Sequence, residues 1–311
     1  MRTGGVADAG AAGADPIEAH RGLLFSVAYR MLGSAAAAED VVQEAWLRWS
    51  TVDDPVAEPR AYLVRVVTRL CLDELRSART RRERYVGPWL PEPVLTGASS
   101  ADGGDPLAAV ERREQVALGA VVLLERLSPA ERAALVLHEA LSLGHAEIAE
   151  ILGVTEVTSR QLLSRARRRL ADGGRRRPAD PRARQRLVEA LLAAFEDGDM
   201  GRLVELFRDD VRLVGDGGGA VRAPRRPLLG IDKVLRFLAG IRTRTEPGTT
   251  ARRAEVNGEP AMVVSVGGVP TAVAVVVVDG DRGVEVLLVA NPAKLAYLRG
   301  QVTAGIDAQP R

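Results

Sequence analysis

At 311 residues, with 46% hydrophobic and 27% charged side chains, the chain has room for two or three globular domains and is not a disordered protein by composition. A single cysteine, Cys71, excludes an intramolecular disulfide. With no apolar run of 18 residues and no hydrophobic segment near Met1, a soluble, cytoplasmic protein free of membrane contact is expected. The net charge is only +2, but it is unevenly spread. Residues 60–84 carry eight Arg against three acids, and residues 155–177 eight Arg against two. Residues 85–110 between them hold Glu92, Asp102 and Asp105 and no basic residue. Two basic blocks separated by an acidic segment point to two contacts with a polyanion.

The first 17 residues read as a tail. Residues 18–50 follow as two helices broken at Gly33-Ser34, with Ser34 an N-cap for AAAAEDVVQEAWLRW. On that second helix Val42, Ala45, Trp46 and Trp49 form an apolar stripe, and Glu39, Asp40, Gln43 and Glu44 fall outside it. Residues 60–80 form a third helix. At 100° per residue Arg65, Arg69, Arg76 and Arg79 share one arc, roughly opposite Leu63, Val66, Val67 and Leu70. A helix with an arginine stripe behind an apolar face docks on a core and tracks phosphates. Residues 86–110, rich in Pro and Gly, are a linker. Helices are expected over 107–127 and 128–141, the latter opened by Ser128-Pro129 with Glu131 as first-turn acid.

Residues 146–170 hold a helix-turn-helix. Ala149 suits a close helix crossing and Gly153, four residues on, a left-handed turn. Ile148, Leu152, Val154 and Leu162 bind the two helices together, leaving Thr155, Glu156, Val157, Arg160, Gln161 and Ser164 outward. Arg and Gln match the guanine and adenine edges of the major groove. The basic run Arg165, Arg167, Arg168 continues the same helix. Ser159 is small and polar where such motifs usually bury Val or Ile. A second linker covers 173–181. Beyond it, RARQRLVEALLAAFEDGD, MGRLVELFRDD and 231–241 read as helices. RAEVN, AMVVSV, PTAVAVVVVD and VEVLLVA then read as antiparallel strands, giving an α+β domain. His20, His138 and His145 are scattered without metal-ligand spacing, and no His follows His145 to serve acid–base catalysis, so neither metal, cofactor nor enzyme activity is expected.

These motifs resemble those of the extracytoplasmic-function sigma factors of bacterial RNA polymerase. EDVVQEAWLRW is similar to the family's clamp-docking segment, RAYLVRVVTRLCLDELRSARTRRERY to the segment that melts and reads the −10 element, and LSPAERAALVLHEALSLGHAEIAEILGVTEVTSRQLLSRARRRL to the −35 reader. WLPEP at 89–93, DGGGA at 216–220 and NPAKL at 291–295 resemble signatures of a subfamily with a fused SnoaL-like domain of the nuclear-transport-factor-2 superfamily. Ala220 and Ala293 depart from it, which usually has Lys and Asp there.

The resemblance implies region 2 over 18–85, region 4 over 111–172, a SnoaL-like cone over 182–300 and a tail from 301. It implies polymerase contacts at Glu39, Asp40, Gln43, Glu44 and Trp46, on the clamp helices, with a further contact on the flap. The −10 element falls to Arg65, Arg69, Arg76, Arg79, Arg81 and Arg82, and the −35 element to Thr155, Glu156, Arg160, Gln161, Ser164, Arg165, Arg167 and Arg168. A regulatory interface is implied among Trp89, Leu90, Pro91, Glu92, Pro93, Asp216, Gly217, Gly218, Gly219, Asn291, Pro292, Lys294 and Leu295. The chain would act as a monomer, and the cone could hold a small ligand. A one-component regulator, binding DNA through the helix-turn-helix and a ligand through the cone, is the alternative; a cyclase-type enzyme fused to a DNA-binding unit is a third.

Overall fold

The computed structural model describes residues 16–54, 56–83, 85–96, 117–171, 177 and 180–307. Helices come first: α1 (Pro16–Leu32), α2 (Ala35–Trp49), α3 (Pro59–Glu83), α4 (Leu118–Leu124), α5 (Pro129–Leu141), α6 (His145–Leu152) and α7 (Glu156–Ala171). Then α8 (Pro181–Glu196) and α9 (Gly201–Leu206) lead into β1 (Phe207–Asp216), β2 (Leu228–Leu229) and α10 (Ile231–Arg242). The chain continues through β3 (Thr249–Val256), β4 (Glu259–Val266), β5 (Val269–Asp279), β6 (Arg282–Val289) and α11 (Ala296–Asp307). The helix expected to open at residue 107 is described only from Leu118.

Local sequence explains the helix ends. The Ser34 hydroxyl accepts the Ala37 N–H at 3.1 Å and starts α2. Ser128 and Glu131 cap α5 reciprocally: the Ser128 N–H donates to the Glu131 carboxylate at 3.0 Å and the Glu131 N–H to the Ser128 hydroxyl at 3.4 Å. Gly153, at φ 66°, turns the chain from α6 into α7, a conformation that costs a residue without Cβ nothing. Along α2 the buried face is Ala38, Val41, Val42 and Ala45; Trp46, expected on the apolar stripe, is instead 43% exposed.

Among the described residues, helices α1–α7 share one core. Leu24, Leu63, Val67 and Cys71 from the first three are continuous with Leu124, Val136, Ile148 and Leu163 from the rest. At the seam lies Arg132 of α5, 2% exposed, donating to the Met31 carbonyl at 2.7 Å and to the Glu125 carboxylate at 3.1 Å. Met31 is in the last turn of α1, where carbonyls lack helical partners, so the guanidinium caps a helix of the neighbouring unit.

The sheet runs in the order β2-β1-β6-β5-β4-β3. Two expectations fail here. The helix expected over residues 200–210 stops at Leu206 and gives way to β1, where Val211 and Leu213 are buried in the two-residue period of a strand. And the sheet is not wholly antiparallel, because β1 pairs parallel with β6. The tail expected from 301 is also partly structured, since α11 continues to Asp307.

The unbroken apolar run of β5 has a clear cause: both faces of the sheet are covered. Ala274, Val276 and Val278 point into a core closed by Leu187, Leu191 and Phe207. Val273 and Val275 point the other way, into a core completed by Leu90, Leu118, Leu295 and Leu298. Leu90 and Leu118 come from the helical half of the chain, and burying each contributes about 1.5–3 kcal/mol. The fit is close at Gly119, where a Cβ would stand 3.0 Å from Val277.

Candidate nucleic-acid interface

On α7 the outward residues Thr155, Glu156, Val157, Arg160, Gln161, Ser164, Arg165, Arg167 and Arg168 are all exposed. Their internal ties are weak and local. Arg160 pairs with Glu156 one turn back at 3.2 Å, Arg165 Nε donates to the Gln161 carbonyl at 3.3 Å, and Arg167 reaches Glu139 of α5 at 2.7 Å. Such pairs at the surface contribute about 0–1 kcal/mol and yield readily to a phosphate or a base. The unexpected Ser159 is fully buried, and its hydroxyl shares a hydrogen bond with His145 Nδ1 at 3.1 Å. His145 in turn stacks on His138, ring centroids 5.7 Å apart and planes 5° from parallel. The two histidines that looked scattered thus form one packed pair beneath α7. Their seven-residue spacing across a helix–turn was the available signal.

The arginine stripe of α3 is less free. Arg65 is half-buried and ion-paired with Glu150 of α6, while Arg69 is exposed and Arg76 is paired with Asp73 at 2.7 Å. The side chains of Arg79, Arg81 and Arg82 lie outside the described residues. On α2, Asp40 and Gln43 are exposed, and Glu44 pairs with Arg48 at 3.0 Å. Glu39 is held by Arg21 at 2.7 Å and by the Tyr297 hydroxyl of α11 at 3.2 Å. Leu47, 48% exposed beside Trp46, extends this surface and escaped the sequence reading because it lies off the amphipathic stripe.

Residues 85–96 form a strap between the two halves of the molecule. At its centre Asp216, at the end of β1 and fully buried, accepts the Leu90 N–H at 2.8 Å and the Gly218 N–H at 3.1 Å, and also the Tyr85 hydroxyl. Lys294 ion-pairs with the same carboxylate at 2.6 Å and donates to the Leu90 carbonyl. Its ammonium lies 3.3 Å from the centroid of Trp89 and 4.9 Å from that of Tyr85, which meet edge to face. Burial, reinforced by the bond to Asp216, pushes the Tyr85 phenol well above its ordinary range. Asn291 donates to Tyr85 at 2.7 Å and packs so closely on Gly218 that a Cβ there would stand 2.3 Å from its amide.

Of the residues expected at this interface, Trp89, Leu90, Asp216, Gly218, Asn291 and Lys294 meet. Gly217 is boxed in by the Val221 carbonyl, Gly219 faces Val86, and Leu295 is buried in the second core of the sheet. Pro91 and Pro93 are buried and Pro292 is half-buried. Ala220 and Ala293 are exposed and hold none of these side-chain contacts.

Glu92 points elsewhere, toward the helices. Its carboxylate accepts the Ser34 hydroxyl at 2.8 Å and the N–H groups of Ala35 and Ala36 at 2.8 and 3.2 Å, closing the N-terminus of α2. The Tyr29 hydroxyl donates to the Glu92 carbonyl at 2.6 Å and accepts from Asn257 at 2.9 Å. Asn257, at φ 54°, also accepts the Val94 N–H at 3.2 Å, so one side chain joins sheet, strap and α1. Nearby, the Thr96 hydroxyl donates to Glu255 at 2.7 Å and Gln301 accepts the Leu95 N–H at 2.9 Å. Tyr29, Asn257, Thr96 and Gln301 were missed, because nothing in their local sequence marks a contact made over such separations.

Comparison with known proteins bears on these surfaces. The Sigma-70 region 2 family matches residues 16–81 and the Sigma-70 region 4 family residues 120–170. The chain is 48% identical over 245 residues to the ECF RNA polymerase sigma factor SigJ of Mycobacterium tuberculosis (strain ATCC 25618 / H37Rv), covering 78% of each protein. It is 31% identical over 301 residues to "Probable ECF RNA polymerase sigma factor SigI" of the same species, covering 94% of this chain and 99% of that one. The crystal structure of M. tuberculosis SigJ superposes with a TM-score of 0.73 at 39% identity, over 90% of this chain and 97% of that one.

Proposed function

Because this chain belongs to the extracytoplasmic-function RNA polymerase sigma factors, and so directs core polymerase to promoters, we propose that its C-terminal domain controls that activity by holding the two DNA-reading units together. In this reading α7 takes the −35 element through Arg160, Gln161 and their exposed neighbours. The α3 stripe takes the −10 element through Arg65, Arg69 and Arg76, with Arg79, Arg81 and Arg82 following. Glu39, Asp40, Gln43, Glu44 and Trp46, joined by Leu47, meet the clamp helices, and the 117–171 unit meets the flap. The factor works as a monomer in the cytoplasm; no helix among the described residues is long and apolar enough to cross a membrane.

The observation that carries the regulatory reading is the shared core, with Arg132 buried between the units and Arg65 paired across to Glu150. Elements at −10 and −35 are about 85 Å apart along B-DNA, at about 3.4 Å per base pair. Units packed on one core cannot reach both, so the closed chain must open to engage a promoter. The strap and cone oppose that opening: Asp216, Lys294 and Asn257 tie the sheet to residues 85–96, and Tyr297 occupies Glu39. An effector or partner acts on this equilibrium only through unequal affinity for the two states.

The test is energy transfer between dyes on exposed positions of α3 and α7, in the free chain and bound to core polymerase. High transfer in the free chain and low transfer in the complex are expected, and run-off transcription should change several-fold when the chain is cut near residue 180. Unchanged transfer together with equal transcription would make the C-terminal domain a passenger. Asp40→Arg with Glu44→Arg should abolish capture of core polymerase without unfolding the chain, and wild-type capture would sink the assignment of α2. A one-component regulator is disfavoured by the match of residues 16–81 to the family's region 2.

A further inference from the structure

The chain contains 41 arginines but only two lysines, Lys233 and Lys294. Lys233 is exposed on α10, whereas Lys294 is 3% exposed. The Lys294 surroundings are built for a cation. The Asp216 carboxylate lies 2.6 Å away, the Leu90 carbonyl accepts from it, and the Trp89 and Tyr85 rings offer their negative faces. Two of these four partners, Trp89 and Leu90, lie in the WLPEP segment, and Tyr85 begins the same strap. The ammonium is therefore one of the groups by which the cone grips the strap, and it is sealed from solvent for as long as the grip lasts.

We propose that Lys294 is an acylation site exposed only in the open chain, and that acylation there blocks reclosure. This rests on the reading that the chain opens to work. The reagent class is an acyl phosphate or an acyl thioester. The free amine at Nζ attacks the acyl carbon, an amide N–C bond forms, and the C–O or C–S bond breaks. Phosphate or thiolate leaves with the electron pair, and Nζ gives up two of the three ammonium protons to solvent. The product is neutral, loses its attraction for the ring faces and leaves Asp216 without this counter-charge. It is also larger by the whole acyl group, at a nitrogen already in van der Waals contact with Trp89. Closure over an acyl-lysine would bury a carboxylate against a neutral, overfilled pocket.

The test uses the full-length chain, acetyl phosphate and mass spectrometry of the Lys233 and Lys294 peptides, with and without core polymerase. Lys233 should react at one rate in both. Lys294 should react at least ten-fold more slowly than Lys233 in the free chain and approach it in the complex. Chain acetylated in the complex and then separated should keep the low energy transfer of the open state, as should Lys294→Gln, whereas Lys294→Arg, which keeps the cation, should close. Should Lys294 match Lys233 in the free chain, the sealed latch does not exist. If Lys294 stays protected in a complex that transcribes normally, the sigma reading stands and this proposal falls. Reclosure of the acetylated chain to wild-type transfer overturns it as well. The first two arms need no variant, so misfolding of Lys294→Gln cannot obscure them.

Discussion

The two helices assigned to DNA differ in what they already hold. The outer face of α7 is bare apart from surface pairs within one turn or to Glu139. On α3, Arg65 is engaged by Glu150 of the neighbouring unit, while Arg69 is exposed and Arg76 pairs within its own helix. In the proposed reading, a resting chain with this asymmetry presents its −35 reader while keeping part of its −10 reader occupied. On that proposal, regulation acts on the second contact.

The largest break in this comparison should come from Arg132→Ala. Removing one partner of a buried, hydrogen-bonded charge costs about 3–5 kcal/mol, to be read in urea unfolding of the helical half. A cost below 1 kcal/mol would mean that the units are only loosely joined. Next, Arg160→Ala and Gln161→Ala should each weaken −35 binding by about 1–3 kcal/mol, and unequally across sequences. Unchanged promoter preference in a competition assay would remove α7 as the reader. Arg168→Ala should act more mildly, lowering affinity for all duplexes alike and reducing the salt slope by about one; a sequence-dependent loss would make Arg168 a base contact. Smallest is Glu150→Gln, which frees Arg65 from an exposed pair worth about 0.2–1 kcal/mol. Full-length protein should then bind single-stranded −10 oligonucleotides up to about five-fold better, and an unaltered affinity would show that Arg65 is not held back by Glu150.

Much of this was readable from the sequence because it depends on short-range order. The Ser128–Glu131 cap, the Gly153 turn and the outward set on α7 follow from spacing within one or two turns. What escaped depends on partners far away in the chain. In FRDDVRLVGD the charges suit a helix surface as well as a strand edge, and only pairing with β6 decides for the strand. Trp46 lies at the margin of the α2 stripe, where burial is decided by which helix arrives alongside. The strap was legible as a linker but not as a link, since Glu92 closes a helix begun 57 residues earlier and Tyr29 meets Asn257 across 228 residues.

Those long separations also set an order in time. Every residue by which the sheet grips the strap, from Asp216 to Lys294, is made after the last helix of the DNA-reading half. At ribosomal rates of about 5–20 residues per second, each new molecule spends on the order of ten seconds with both DNA-reading units complete and its own restraint not yet synthesised. If the C-terminal domain restrains the DNA-reading units as proposed, newly made copies pass through an unrestrained youth, and the rate of production is itself an input to the promoters this factor serves.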